Sequence, residues 1–372
     1  MDFRSVPSLV VMTLCMTIII APFMRGAEAR PQRIDVPAYF AFGDSFADVG
    51  TNNYLPNTTA RANFPPYGET YFRKPTGRFT NGRNIVDIFA QTVGLPSAPP
   101  YLQPNSSFIA GVNFASAGSG LLNETNFGSV VSMSEQVDQF KTVRVLLQNK
   151  LSAWGALKLI SKSIFLVLSG SNDIVEYLSD PDFQSQSNAT QFLSTVVEAY
   201  QTTLTELYKS GARKAVLVNL APLGCSPSAR AANPFSPGEC FPPGNDLALG
   251  FNAGLRQLVD SLHFALPDFN IVIAESYDLI LSMINDKKSY GLDNVSAACC
   301  GAGFMNAQIR CGLPVPPGLL EIESSLCKRP SKYLFWDIVH PTEQVVKLLF
   351  KSFWTGNTSF AYPMNVKALA SV

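Results

Sequence analysis

Apolar residues gather in five short continuous runs, and longer stretches of helical periodicity separate them. The runs are AYFAF (38–42), GVNFA (111–115), SIFLVLS (163–169), KAVLVNL (214–220) and NIVIAES (270–276). Each has strand length and is rich in β-branched or aromatic side chains. Runs without polar alternation suit strands buried on both faces, as in a parallel sheet. The helical patterns are NIVDIFAQTVG (84–94), SEQVDQFKTVRVLLQNK (134–150), ATQFLSTVVEAYQTTLTELYKSG (189–211), NDLALGFNAGLRQLVDSLHFALPD (245–268) and PTEQVVKLLFKSFW (341–354). Ser187 or Asn188 suits the start of the third and Gly211 its end, while Pro341 suits the first turn of the last. Strand and helix alternate, which predicts an α/β fold with a mostly parallel five-stranded sheet. Two segments break the rhythm: 51–82, rich in Asn, Pro, Gly and Tyr, and 221–244, with six prolines and two cysteines. Loops of that length inside a compact domain are usually functional or tied down. There is no internal repeat, and 30–372 reads as a single domain.

Residues 1–29 read as a secretory signal: Arg4, then the apolar LVVMTLCMTIII, then the cleavage pattern Ala27-Glu28-Ala29. A membrane anchor is the alternative, but Pro22, Arg25 and Glu28 interrupt the run short of a bilayer span. No later segment is long and apolar enough to cross, so no stable membrane anchor is expected. The chain carries 28 basic and 28 acidic residues with no basic block, which gives nucleic-acid binding no support. Sequons stand at Asn57, Asn105, Asn123, Asn188, Asn294 and Asn357, as on a secreted eukaryotic glycoprotein.

The candidate chemistry is concentrated in four short strings. The chain has two histidines, and His340 lies in FWDIVHPTE (335–343), three residues after Asp337. Ser45 lies in AFGDSFADVG (41–50), just after the first apolar run. A serine nucleophile needs a neutral imidazole to take its proton and a carboxylate to orient that imidazole. Taken singly, each string has a bland reading. GDS is an ordinary turn with a capping serine, and D-x-x-H is a capping carboxylate near a surface histidine. If residues 337–340 form a helical turn, Asp337 and His340 share one side of it. His263 falls in a helical pattern and reads as structural. ASAGSG (115–120) and GSND (170–173) follow two other runs, and Gly118 and Asn172 there suit an oxyanion hole or, blandly, a flexible loop and an Asx turn. Together the four strings supply every role of an acyl-transfer site, each just after a predicted strand or before a helix, and open α/β sheets bind ligands beyond their strand ends.

With these strings in view, the chain resembles the plant-type GDSL esterase/lipases of the SGNH hydrolase superfamily over nearly its whole mature length. The resemblance rests on FGDSFADVGTNNYL (42–55), GVNFASAGSGLL (111–122), GSND and FWDIVHPTE, with APLGCSP (221–227) and CCGAGFMNAQIRCG (299–312) in support. Phe46 stands where the family name has leucine, and Ala117 where many relatives have glycine. The resemblance implies a three-layer αβα, flavodoxin-like fold with sheet order 2-1-3-4-5. It implies Ser45 as nucleophile, His340 as base and Asp337 as orienter, with an oxyanion hole from the Ser45 and Gly118 N–H groups and the Asn172 side chain. It implies no cofactor. No G-x-S-x-G elbow, phosphate-binding G-x-x-x-x-G-K or zinc-binding H-E-x-x-H occurs.

The expected activity is secreted ester hydrolysis through an acyl-enzyme. Alternatives are acyl transfer to a sugar or phenolic hydroxyl, and an idle binding or defence protein. The substrate is a small-molecule, lipid or cell-wall ester that the sequence does not specify, and it is equally silent on oligomeric state. The destination is the extracellular space, the cell wall or the vacuole. Tyr54, Phe64, Tyr67, Tyr71 and Phe72 either line a pocket near Ser45 or pack their own loop, the latter being preferred. Cys15 leaves with the signal, and six cysteines remain. With no C-x-x-C pair, metal binding is disfavoured against disulfides. Cys225 and Cys240 are expected to pair. Cys299 and Cys300, too close for an unstrained bond to each other, are expected to reach Cys311 and Cys327 in an unspecified order. Free, buried thiols are the alternative.

Overall fold

The computed structural model describes residues 1, 2, 34–314 and 324–372. The segment expected to be a signal lies outside the described residues, its first two positions apart. The fold is built by the unit Ile34–Val372.

Strands β1 (Tyr39–Gly43), β2 (Gly111–Asn113), β3 (Ile164–Leu168), β4 (Lys214–Val218) and β5 (Asn270–Ala274) run parallel in the order β2-β1-β3-β4-β5. These are the five expected strands in the expected order. Two small sheets lie outside this one. β6 (Asn294–Ala298) pairs in parallel with β9 (Tyr333–Phe335), and β7 (Cys300–Ala302) pairs antiparallel with β8 (Ser324–Leu326). The main sheet has six strands rather than five, because β10 (Ala361–Tyr362) adds antiparallel to β5. A two-residue edge strand has no apolar run or alternation by which a sequence could announce it.

The helices are α1 (Ile85–Val93), α2 (Met133–Lys162), α3 (Ser171–Ser179), α4 (Pro181–Gln186), α5 (Ala189–Lys209), α6 (Pro227–Ala231), α7 (Pro242–Ala265), α8 (Tyr277–Asn285), α9 (Glu343–Thr355) and α10 (Val366–Ser371). Successive strand side chains point to opposite faces, and here both faces are covered. Phe40, Phe42, Phe165, Val167, Leu217 and Ile273 pack with Phe140 of α2, Ile174 of α3, Leu204 of α5 and Leu255 of α7. Tyr39, Ala41, Leu166, Val216 and Val272 pack on the other side with Phe89 of α1, Ile280 of α8, Leu349 of α9 and Leu369 of α10. That is a three-layer αβα arrangement. Among the described residues no helix is long and apolar enough to cross a membrane.

Side chains start the helices as the pattern expects, with two differences. Asn84 with Asp87, Ser132 with Glu135 and Asn188 with Gln191 form reciprocal capping boxes. The periodicity of α2 ends near Lys150, and the helix kinks at Ser152, where φ is 69°, before continuing. Pro341 is not in the first turn of α9. Thr342 caps that helix by accepting from the Val345 N–H, and Pro341 precedes the cap in an isolated bridge to Phe335.

The six cysteines among the described residues are paired: Cys225–Cys240, Cys299–Cys327 and Cys300–Cys311. The first closes the proline-rich loop as expected, and the other two settle the open order. The bridged segment lies directly against the strand that leads to His340. The Cys299 N–H donates to the Phe335 carbonyl at 3.0 Å and the Cys300 N–H to the Trp336 carbonyl at 2.8 Å. Replacing both Cys299 and Cys327 by serine should cost on the order of 3–4 kcal/mol, because the bridge closes a long loop in the unfolded chain. Urea unfolding of the variant, with non-reducing peptide mapping of the parent, tests this. An unchanged midpoint, or a Cys299–Cys311 peptide, would contradict it.

Candidate active site

Ser45 sits where β1 runs out. Gly43, with φ 130°, ends the strand against β3 so closely that a Cβ there would lie 1.9 Å from the Leu168 carbonyl oxygen. Only glycine permits that approach. The buried Gln136 amide holds the same residue from α2. It donates to the Gly43 carbonyl at 3.0 Å and accepts the Gly43 N–H at 2.8 Å. Asp44 then turns the chain, accepting the Phe46 N–H at 3.0 Å and the Ser171 hydroxyl at 2.7 Å. Ser45 is left at the tip.

His340 arrives from the far end of the sequence. Its Nε2 lies 2.6 Å from Ser45 Oγ, across 295 residues of chain. Its Nδ1 lies 2.8 and 2.9 Å from the two Asp337 oxygens. The segment is not a helical turn. It is a loop closed by the Trp336 N–H on the His340 carbonyl at 2.7 Å. Asp337 Oδ1 also accepts the Val339 and His340 N–H groups at 3.1 and 2.9 Å. The bland capping role and the orienting role therefore belong to one carboxylate. Phe46 and Phe79 flank the imidazole, with ring centroids 5.3 and 5.1 Å away.

Burial pushes the Asp337 carboxyl up, but the His340 imidazole and the ring and backbone hydrogen bonds outweigh it, so it ends below its ordinary value. The Tyr67 hydroxyl donates to Asp337 Oδ2 at 2.8 Å. Burial, then the carboxylate beside it, raises the Tyr67 phenol well above its ordinary value and keeps it a donor. Tyr67 does pack its own loop, against Phe64, Phe79 and Trp336, as the sequence favours. Its hydroxyl contact has no signal in the sequence, since the two residues are 270 positions apart and neither motif contains the other.

Asn172, in the first turn of α3, donates to the Ser119 carbonyl at 2.9 Å, with Asp44 Oδ2 3.5 Å away. The next residue, Asp173, is fully buried and accepts the Leu121 and Leu122 N–H groups at 2.8 and 3.0 Å and the Thr125 hydroxyl at 2.7 Å. GSND thereby fastens the ASAGSG loop to the end of β3. Asp48, three residues after Ser45, does the same from the other side by accepting the Ala117 N–H at 3.0 Å. Gly118 has φ 90° and its carbonyl accepts from Asn126. Ser45, His340 and Asn172 line one cavity of about 480 Å³, and Gly118 is not among its lining residues. His263 is remote, its Nε2 3.1 Å from the Ile271 carbonyl in α7 packing. Among the described residues no cluster of His, Cys, Asp and Glu could hold a metal.

Asp44 is the least expected electrostatic element. Burial lifts its carboxyl to about 6, against the lowering by Ser171, the Phe46 N–H and His340, with Asp173 adding to the rise.

Several known proteins are similar to this chain. Residues 39–353 match the GDSL-like Lipase/Acylhydrolase family. GDSL esterase/lipase 6 of Arabidopsis thaliana is 36% identical over 96% of this chain and 96% of its own. GDSL esterase/lipase 7 of the same plant is 34% identical over 96% and 99%. A solved acetyl xylan esterase covers 68% of this chain and 84% of its own at 11% identity, with a TM-score of 0.29.

Two buried groups of the site lend themselves to measurement. Tyr67→Phe removes one donor from a buried carboxylate and should destabilise the fold by about 1.5–3 kcal/mol, measured by urea unfolding. A change within error would leave that contact without weight. Asp44 has the opposite sign from Asp337. Its carboxyl keeps a proton to about 6 in the fold but only to about 3.9 when unfolded. Its contribution is greatest in acid and falls as pH rises through that window. Between pH 4 and pH 7 Asp44→Asn should therefore gain on the parent by about 2 kcal/mol. A flat difference curve would refute this.

Proposed function

Because the chain belongs to the GDSL-like Lipase/Acylhydrolase family and is therefore a carboxylic ester hydrolase, we propose that it works through an acyl-enzyme formed on Ser45. The observation that supports this most is the continuous line from Ser45 Oγ through His340 Nε2 and Nδ1 to Asp337. Ser45 attacks the ester carbonyl carbon while His340 Nε2 takes the hydroxyl proton. The negative charge on the former carbonyl oxygen is met by the Ser45 and Gly118 N–H groups and by the Asn172 amide. That amide donates to the Ser119 carbonyl at 2.9 Å and to Asp44 Oδ2 at 3.5 Å, and the longer contact is the one exchanged for the oxyanion. Collapse breaks the bond to the alcohol oxygen, which leaves with the proton from Nε2. Water then attacks the acyl-enzyme, again losing its proton to His340, and the acid departs as Ser45 recovers its hydrogen. Asp337 stays ionised throughout, fixing the tautomer with the proton on Nδ1.

By the same reading the protein works outside the cytosol as one catalytic domain behind a cleaved signal. The three disulfides support it. So do the sequons: Asn57, Asn105, Asn123, Asn188 and Asn357 are exposed, and Asn294 is half-buried.

Ser45→Ala and His340→Ala should each lower kcat/KM on an aryl ester by several orders of magnitude. A fluorophosphonate should label the parent at one site and leave Ser45→Ala untouched. Near-parent turnover in either variant would reject the assignment. Protein secreted from a plant host should lose mass on deglycosylation, with Asn294 the least occupied sequon. Full occupancy at Asn294 alone would count against this reading.

A further inference from the structure

The cavity at Ser45 has two sides, and they differ in depth. On the Asn172 side it is bounded by Val175 and Leu178 of α3 and by Leu223 and Phe241 of the proline-rich loop. On the His340 side it descends past Leu334 between α9 and α8. There Val346, Leu349 and Phe353 form one stripe of α9, facing Ile280. Seven helical steps lead from Val346 to Phe353, so the stripe that lines this shaft is about 10 Å long.

Most of its polar neighbours have partners. The Thr80 hydroxyl donates to the Pro341 carbonyl. Ser276 donates to the Asn219 carbonyl. The Asn219 amide donates to Glu275 and accepts the Ser276 N–H. Asn84 caps α1 and donates to the Asp48 carbonyl. Ser169 Oγ, just past β3, has no protein partner. Among the described residues, Asp44 is the one carboxylate lining the cavity, and no lysine or arginine lines it. A sugar in the shaft would find few of these groups free, and most of its hydroxyls would be buried unpaired. An alkyl chain meets a mainly apolar wall.

Chemistry decides which half of the ester goes there. The oxygen that leaves must take its proton from His340 Nε2, so the alcohol lies on the imidazole side. The carbonyl oxygen points to Asn172, and the acyl chain continues towards α3. Resting on the Ser45–His340 mechanism, we infer that the α9 shaft is the pocket for the alcohol portion. The preferred substrate is then an ester of a linear apolar alcohol, and Leu349 and Phe353 set how long that alcohol is.

The test holds one half of the ester constant while the other grows. With n-alkyl acetates from ethyl to decyl, kcat/KM of the parent should rise about fourfold per methylene until the shaft is filled. Leu349→Phe should flatten that series while leaving the slope of an ethyl alkanoate series, in which only the acyl chain grows, as in the parent. Both readouts are ratios within one preparation, so partial loss of folded protein cancels. If Leu349→Phe does not fold, Leu349→Ala should instead move the optimum to longer alcohols. A flat or falling parent series, a preference for sugar acetates, or an alcohol series indifferent to residue 349 would overturn the inference while Ser45 still labels with fluorophosphonate. Retained hydrolysis in Ser45→Ala would instead remove the Ser45 assignment and this inference with it.

Discussion

A single buried anion organises the working end of this molecule. The Asp337 carboxylate is 2% exposed as a residue, and a charge so placed is tolerable only with a full set of donors. It draws them from three sources: the imidazole of His340, two N–H groups of its own loop, and the hydroxyl of Tyr67 from the long aromatic loop. Satisfying the charge therefore brings the loop 51–82 and the segment 336–341 together. With His340 fixed, its other nitrogen has one polar partner to meet, and that is Ser45. The alignment of His340 with Ser45 is in this sense a by-product of solvating one carboxylate without water.

Three further buried carboxylates extend the theme. Asp44, Asp48 and Asp173 lie in the strings that also carry Ser45 and Asn172, and each accepts N–H or hydroxyl groups from a neighbouring loop. Short polar loops at the end of a sheet cannot be held by apolar packing, because they have little to pack. Carboxylates aimed at backbone N–H groups hold them instead, at the expense of desolvation that raises the carboxyls of Asp44 and Asp173. This explains why GDS and GSND act as units. Ser45 and the Asn172 amide need their acidic neighbours to stay in place.

Much of this is legible in the chain. The five parallel strands are visible because burial on both faces removes polar alternation. Ser45 and Asn172 are visible because they follow those strands in short, polar strings, and His340 because it precedes a helical pattern in another. The rest is hidden for physical reasons. Tyr67 and Asp337 make a contact across 270 residues, and no local pattern encodes it. Asp173 lies within GSND, but a residue buried beneath its own loop looks like any polar turn residue. β6 to β9 are three to five residues long, too short for a run of full strand length to mark them. Val346, Leu349 and Phe353 read as an ordinary core stripe, since the same apolar periodicity serves a packed helix and a helix facing a cavity. The helical turn expected for Asp337 and His340 is the opposite case. The spacing of three is right, but a capping loop produces it.

Ser45 and His340 are held in place by different kinds of force. The Ser45 turn hangs on Gly43, Gln136 and the parallel pairing of β1 with β3, all of which assemble without covalent help. The His340 loop instead follows a three-residue strand whose last carbonyl, with that of Trp336, is held by the half-cystines Cys299 and Cys300. The alignment of His340 with Ser45 is therefore coupled to the redox state of the surroundings. With the bridges reduced, the Ser45 turn would keep its own supports while the His340 loop would lose a tether.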